Sequence, residues 1–325
     1  MQLWRQLQGL LSSLDGRQVT KGGNADTIII RSCLHSMRMN HRVIALDFVR
    51  GLACLMVLGV HILQVYGKDL SCCVPERLIY FLMTPCDGLF LMVTGCVLLR
   101  DKRLTAGFFV RRVVNIYLPL SVVTFLIIFC GLGSSVDKGS FLLTVLRKPI
   151  CPSYWFFYSL LGIYILSMPM NELYRRYGMR FLRCTIAMWL VELLALFGLV
   201  VAGLGSGLID FLCEWPFLLS SLFWGFLPFG KYMYEIAKTP LIPRLGLIPC
   251  FFMPICLGAV YACKDPELSE FVFRNYLSPI SVCLTCCMFY IIVKHSSDGR
   301  FVKALGALGR YSLWFCLIHV LPFVF

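Results

Sequence analysis

Charge is what this chain lacks most. Of its 325 residues only 14% are Asp, Glu, Lys or Arg, while 59% are hydrophobic. A soluble domain carries roughly 25% charged residues, so most of this surface meets something other than water. That excludes the two or three soluble domains the length alone would allow. Acidic residues are the scarcer, 17 against 30 basic ones, for a net charge of +13. A basic balance is the usual footprint of nucleic-acid binding. Here the basic residues fall in short gaps between apolar runs, which is the pattern of membrane topology, and nucleic acid is set aside as a partner. A secretory signal with a basic start, an apolar core and a small-residue cleavage site is also missing. Metal-ligand clusters are not evident either. Most of the 17 Cys residues lie in apolar segments, and Cys283 and Cys286, although spaced C-x-x-C, have no His or acidic partner nearby. They read as packing residues, so no metal and no bound cofactor are expected.

What is present is a succession of apolar runs. A hydrocarbon core about 30 Å thick needs about 20 apolar residues in a helix. Such runs occupy 43–66, 77–99, 113–133, 154–173, 184–204, 209–230, 245–263, 277–293 and 310–325. The expected fold is all-α, a polytopic transmembrane bundle of about nine to ten spanning helices. Residues 1–40 mix polar and apolar positions and read as a cytoplasmic leader, with 41–325 as the membrane domain. The last run is still apolar at Phe325, one span short of returning the chain to its starting side.

The loops give the orientation. Sixteen basic residues, from Arg100, Lys102 and Arg103 through Arg175 and Arg176 to Lys303 and Arg310, fall in alternate gaps, against seven in the others, among them Lys68, Arg147 and Lys264. The richer set belongs in the cytoplasm, and the N-terminus with it. A plasma (bacterial inner) membrane protein is expected.

Within the first run stand Asp47, Arg50 and His61. A charged side chain at the centre of a spanning helix costs roughly 2.5–3.5 kcal/mol on insertion scales, so these residues face protein or a water-filled cavity. Asp47 and Arg50 are three apart and can pair on one face. Arg50 and His61 are eleven apart, close to three turns, which puts them on one stripe about 16 Å apart along the axis. One reading is a structural ion pair near the surface plus a satisfied histidine. The other is a polar path through the bilayer with a titratable imidazole on it, the side chain suited to take a proton near neutral pH.

Three further features bear on chemistry. Arg111 and Arg112 stand at the mouth of the third run, where a guanidinium can hold a phosphate bidentately; ordinary topogenic charge accounts for Arg100, Lys102 and Arg103. Tyr154 to Tyr158 is an aromatic cluster entering the fourth run. It reads as an interfacial belt or as a stacking surface for a sugar. His319 follows Ser312 by seven residues in the last run.

In order along the chain, these pieces resemble the integral-membrane acyltransferase-3 family, which includes bacterial O-acetyltransferases of surface polysaccharides. Leu46-Asp47-x-x-Arg50-Gly51 with Arg50-x10-His61 is similar to its first-helix signature. Phe90 to Thr94-Gly95 is similar to its second-helix Phe-x-x-Ser-Gly element. Phe108-x-x-Arg111-Arg112-x-x-Asn115-Ile116-x-x-Pro119 resembles its arginine motif. Tyr154-Trp155-Phe156 and Ser312-x6-His319 resemble its aromatic element and its late Ser and His. The resemblance covers the chain from about Arg42 onward. It implies transfer of an acyl group, acetyl foremost, from acyl-CoA to a hydroxyl of a cell-surface glycan or lipid-linked saccharide. It implies His61 as base, Arg50 as its catalytic companion oriented by Asp47, and Arg112 and Arg111 as acyl-CoA ligands. Trp155, Tyr154, Ser312 and His319 fall on the acceptor side. The pattern departs at Asn115, where the family commonly has a second arginine; Asn donates a hydrogen bond but brings no charge. A transporter or channel using the same polar stripe is the rival class. A non-catalytic scaffold would leave Asp47, Arg50 and His61 without a reason.

Overall fold

The computed structural model describes residues 25–66, 74–129, 152–202, 220–238, 276–296 and 299–319. Among them every regular element is helical. The chain divides into two compact units, Met1–Val43 and Ile44–Phe325, and the helix packing and the polar groups of interest belong to the second.

Helix α1, Ala25–Tyr66, is continuous and begins earlier than the apolar run suggested. Its part from Ile44 to Val65 is long and apolar enough to cross a membrane. The second run is not one helix but two, α2 (Val74–Met83) and α3 (Cys86–Leu98). The break is at Thr84-Pro85. Proline has no N–H to continue the ladder, and the Thr84 hydroxyl and N–H both bond back to the Tyr80 carbonyl, closing α2. Helix α4, Ala106–Phe129, starts seven residues before the expected 113. Thr105 caps it, its side chain accepting from the Phe108 N–H at 3.2 Å. Arg111 and Arg112 are therefore in the helix, not in the loop that precedes it.

A 3₁₀ turn, Pro152–Tyr154, leads into α5, Trp155–Tyr177. Gly178, with φ of 56°, then reverses the chain into α6, Met179–Val201. Only glycine takes that left-handed conformation without a side-chain clash. The sixth run is described from Ser220 on and is broken: α7 (Ser220–Phe223) gives way at Gly225 to α8 (Phe226–Ala237). The seventh, 245–263, lies outside the described residues. Helix α9, Pro279–His295, has Pro279 in its first turn and Ser278 accepting from the Ser281 N–H. The last run is a bent pair, α10 (Arg300–Arg310) and α11 (Ser312–Ile318), turned by 68° at Tyr311. Residues 320–325 lie outside the described set. Among the described residues four stretches are long and apolar enough to cross a membrane, Ile44–Val65, Leu78–Leu98 across the Pro85 break, Ala106–Ile127 and Met179–Leu199, and a fifth is added if the bent pair counts as one span.

Small residues set the packing. A Cβ on Gly95 of α3 would run into the Leu227 backbone of α8, and one on Gly230 of α8 into the Met92 backbone of α3. The two helices therefore meet backbone to backbone, and Cys96 bonds the Gly230 carbonyl across the seam. Close approach at small residues is the main source of helix association where lipid removes the hydrophobic drive. Trp189 of α6, fully buried, donates to the Leu222 carbonyl at 2.7 Å and occupies the space beside Gly225. Helices α1 and α10 also meet at glycines: a Cβ on Gly309 would strike the Asp47 carbonyl, and one on Gly51 the Leu305 carbonyl.

Candidate functional site

The polar groups of the interior gather at two stations on α1. At the first, His61 of α1 and His319 at the end of α11 bring their rings to 5.2 Å, tilted by 36°. Residues 258 positions apart in sequence thus form one imidazole pair. The hydrogen bonds fix what each ring offers. His319 Nδ1 lies 3.1 Å from the Phe315 carbonyl, an acceptor only, so Nδ1 carries the proton. Nε2 of the neutral ring is then a bare lone pair, buried and without a hydrogen-bond partner. For His61 the chain of bonds starts at Tyr80. Gln64 Nε2 donates to the Tyr80 hydroxyl at 3.1 Å, so Gln64 Oε1, 3.0 Å from His61 Nδ1, accepts from it. In the neutral form the His61 proton then sits on Nδ1, bonded to Gln64.

The pair opens on a cavity of about 40 Å³, room for small polar groups or a few water molecules. Its walls are Val57, Val60 and Phe90, the aromatic residues Trp155, Phe156, Phe157 and Tyr276, and the polar Asp87, Cys86, Ser153 and Cys316. Trp155 is braced by Phe223 at 5.5 Å and Tyr276 at 5.8 Å between ring centroids. Asp87 is 7% exposed. The Pro85 break places it in the first turn of α3, where the helix dipole favours a carboxylate. Tyr154, the neighbour of Trp155, is not a wall. It is buried, and its hydroxyl donates to the Leu317 carbonyl at 2.8 Å, tying the start of α5 to the helix that carries His319. Ser312 stands at the other end of α11, seven residues from His319, and does not line the cavity.

The second station is the turn around Arg50. Arg50 Nη1 donates to Asp47 Oδ1 at 3.0 Å, as the spacing predicted, and the glycine crossing with α10 presses on this same turn. Arg50 and Arg112 both lie within electrostatic reach of the Tyr164 hydroxyl of α5. Arg50 also reaches Cys96 of α3, as do Lys231 and Glu235 of α8 and Lys238, which caps it. Lys231 is held by Glu235 at 3.0 Å. Arg112 is exposed, with its guanidinium 5.3 Å from the Phe108 ring centroid. Arg111 and Asn115 are exposed too.

Arg50 and His61 thus face the same neighbour, α3, but serve separate stations about 16 Å apart along α1. Among the cavity residues that the sequence reading did not single out, Asp87 and Tyr276 bear most on chemistry. Asp87 was visible as a carboxylate inside an apolar run, next to a proline. Tyr276 had no such signal, since it begins an ordinary run and reaches the cavity only through tertiary packing. No group of three or more His, Cys, Asp or Glu among the described residues is placed to hold a metal ion.

A helical bundle in which four or five stretches among the described residues are long and apolar enough to cross a membrane is an integral membrane protein. The chain matches the acyltransferase-3 family, described as an acyltransferase domain, over residues 43–325. It belongs to that family and is a membrane acyltransferase. No curated protein and no solved structure matches it.

Proposed function

We propose that the protein is an O-acyltransferase that moves an acetyl group from acetyl-CoA to a hydroxyl of a cell-surface glycan or lipid-linked saccharide. The observation that carries this reading is the His61–His319 pair, two imidazoles 5.2 Å apart on an aromatic-walled cavity. A hydroxyl entering there meets Nε2 of His61 or of His319 as a proton acceptor. As the proton moves to nitrogen, the hydroxyl oxygen attacks the thioester carbonyl carbon. The C–S bond breaks, and the CoA thiolate leaves with the proton returned from the imidazolium. Trp155 and Tyr276 offer the apolar sugar face a stacking surface.

The Arg50 station supports donor binding. Arg112 is free of any carboxylate among the described residues, and Arg50 is kept in place by Asp47. The charge bias of the loops assigns this end to the cytoplasm, where acyl-CoA is found, in the plasma (bacterial inner) membrane. The His61 end then faces the outer side, where the acceptor glycan waits.

The test uses membranes carrying the full chain, labelled acetyl-CoA and surface glycan. Label should pass to glycan hydroxyls, and His61→Ala should stop it while the protein still inserts. Full transfer by His61→Ala would remove the base assignment. Solute uptake by reconstituted vesicles with no acyl-CoA requirement would favour a transporter.

A further inference from the structure

The turn between α3 and α4 carries an arrangement that neither the helix count nor the imidazole pair needs. Arg100 lies with its guanidinium 4.9 Å from the Phe108 ring centroid, and Arg112 lies 5.3 Å from the same centroid. Two like charges share one ring, so their separation is bounded by those two distances. No carboxylate among the described residues pairs with either to offset the repulsion between them. The Arg100 Nε is moreover buried and has no hydrogen-bond partner. A buried donor left unmade costs free energy, and its natural complement is an anion.

This turn is also built, not left to wander. The Arg100 N–H donates to Asn171 Oδ1 at 2.8 Å, and Asn171 Nδ2 donates to the Lys102 carbonyl at 3.0 Å. Asn171 is 1% exposed. Arg175 Nε donates to the Asp101 carbonyl at 2.9 Å. Two residues of α5 thus clamp consecutive backbone groups and fix where Arg100 emerges. Phe108 belongs to the first turn of α4, whose dipole favours an anion, although its own N–H is taken by the Thr105 hydroxyl. A Cβ added at Gly107 would meet nothing within 4 Å, so that turn is open to a ligand.

We propose that Arg100 and Arg112, set about Phe108 at the N-terminus of α4, form the grip for the phosphate groups of the donor, Arg100 being the half that the arginine motif does not include. Guanidinium groups match phosphate oxygens bidentately. A diphosphate between the two cations neutralises both. The inference rests on acyl-CoA being the donor.

The experiment measures binding of CoA, dephospho-CoA and pantetheine to the full chain in nanodiscs of neutral phosphatidylcholine. Arg100→Gln should weaken CoA binding roughly tenfold or more and leave pantetheine binding unchanged. Arg100→Lys, which keeps the charge but not the fork, should fall between. A thermal transition equal to wild type shows that each variant is folded; where Arg100→Gln fails this, Arg100→Lys and Phe108→Leu carry the comparison. If wild type binds CoA and folded Arg100 variants bind it equally well, the grip is overturned and the transferase reading stands. The grip is equally overturned if pantetheine binding falls in parallel with CoA. A parallel arm adds phosphatidylglycerol to the nanodiscs. If wild type binds no CoA but retains that lipid, and Arg100→Gln loses it, the phosphate belongs to a headgroup, and both the grip and the donor assignment fail.

Discussion

The imidazole pair gives the most demanding test. Proton transfer by one positioned side chain is worth about 10²–10⁴-fold in rate. If His61 and His319 act as a unit on one hydroxyl proton, removing either should cost nearly all of that. Removing both should then cost little more than removing one, because residues acting together are strongly non-additive. Independent residues would multiply instead, and the double variant would fall to the product of the two losses. The variants need care, since His319 also packs against Phe315 at 5.8 Å and donates to its carbonyl. His319→Asn retains a donor toward that carbonyl while removing the ring and its Nε2 lone pair. Single-turnover transfer from labelled acetyl-CoA should drop about 100-fold or more in His61→Gln and in His319→Asn. The double variant should lie within about tenfold of the slower single. A His319→Asn protein that transfers at the wild-type rate, or a double variant at the product of the singles, refutes the idea of a shared proton site.

Three further outcomes come from packing. Gly309→Ala drives a methyl group into the Asp47 carbonyl; overpacking of this kind costs about 1–3 kcal/mol and should lower both Tm and transfer, whereas Gly198→Ala, in open space on α6, should leave both intact. Tyr154→Phe removes the buried bond to the Leu317 carbonyl, about 1 kcal/mol of stability, and should slow transfer more than it lowers Tm, because that bond holds the helix end bearing His319. Asn171→Ala releases the Arg100 N–H and the Lys102 carbonyl; the KM for acyl-CoA should rise several-fold while kcat changes little, which steady-state kinetics will show.

Much of the fold is legible in hydropathy because hydrocarbon imposes one simple demand: each span must satisfy its own backbone. The runs at 43–66, 77–99 and 184–204 correspond to helical spans within a few residues, the second as Leu78–Leu98 taken across its helix break. Hydropathy fails where a helix breaks without a change in apolarity. The stretch 77–99 is apolar throughout, yet Pro85 splits it and turns Asp87 inward. The same holds at Gly225, where the indole of Trp189 occupies the space a side chain would need. At α4 the error has the opposite sign. Arginines look like loop residues to a hydropathy scale, but their long stems let the charge reach the surface from within a helix, so Arg111 and Arg112 stand on a helix that starts at Ala106.

For the site, local spacing carried only what α1 itself determines. Asp47 and Arg50 pair because three residues make almost one turn, and no other element is needed. His61 is different. Its partner, His319, arrives through a 68° bend at Tyr311, and no periodicity in the last run encodes a bend. The glycines give the physical reason for that geometry. Gly309 of α10 and Gly51 of α1 let the two helices lie backbone to backbone at the Asp47–Arg50 turn. From that seat the bend sends α11 toward the His61 end. A single crossing therefore couples the two stations: displacing α10 from Asp47 displaces the helix that presents His319. A variant at Gly309 should accordingly disturb transfer even though neither Arg50 nor His61 has been touched.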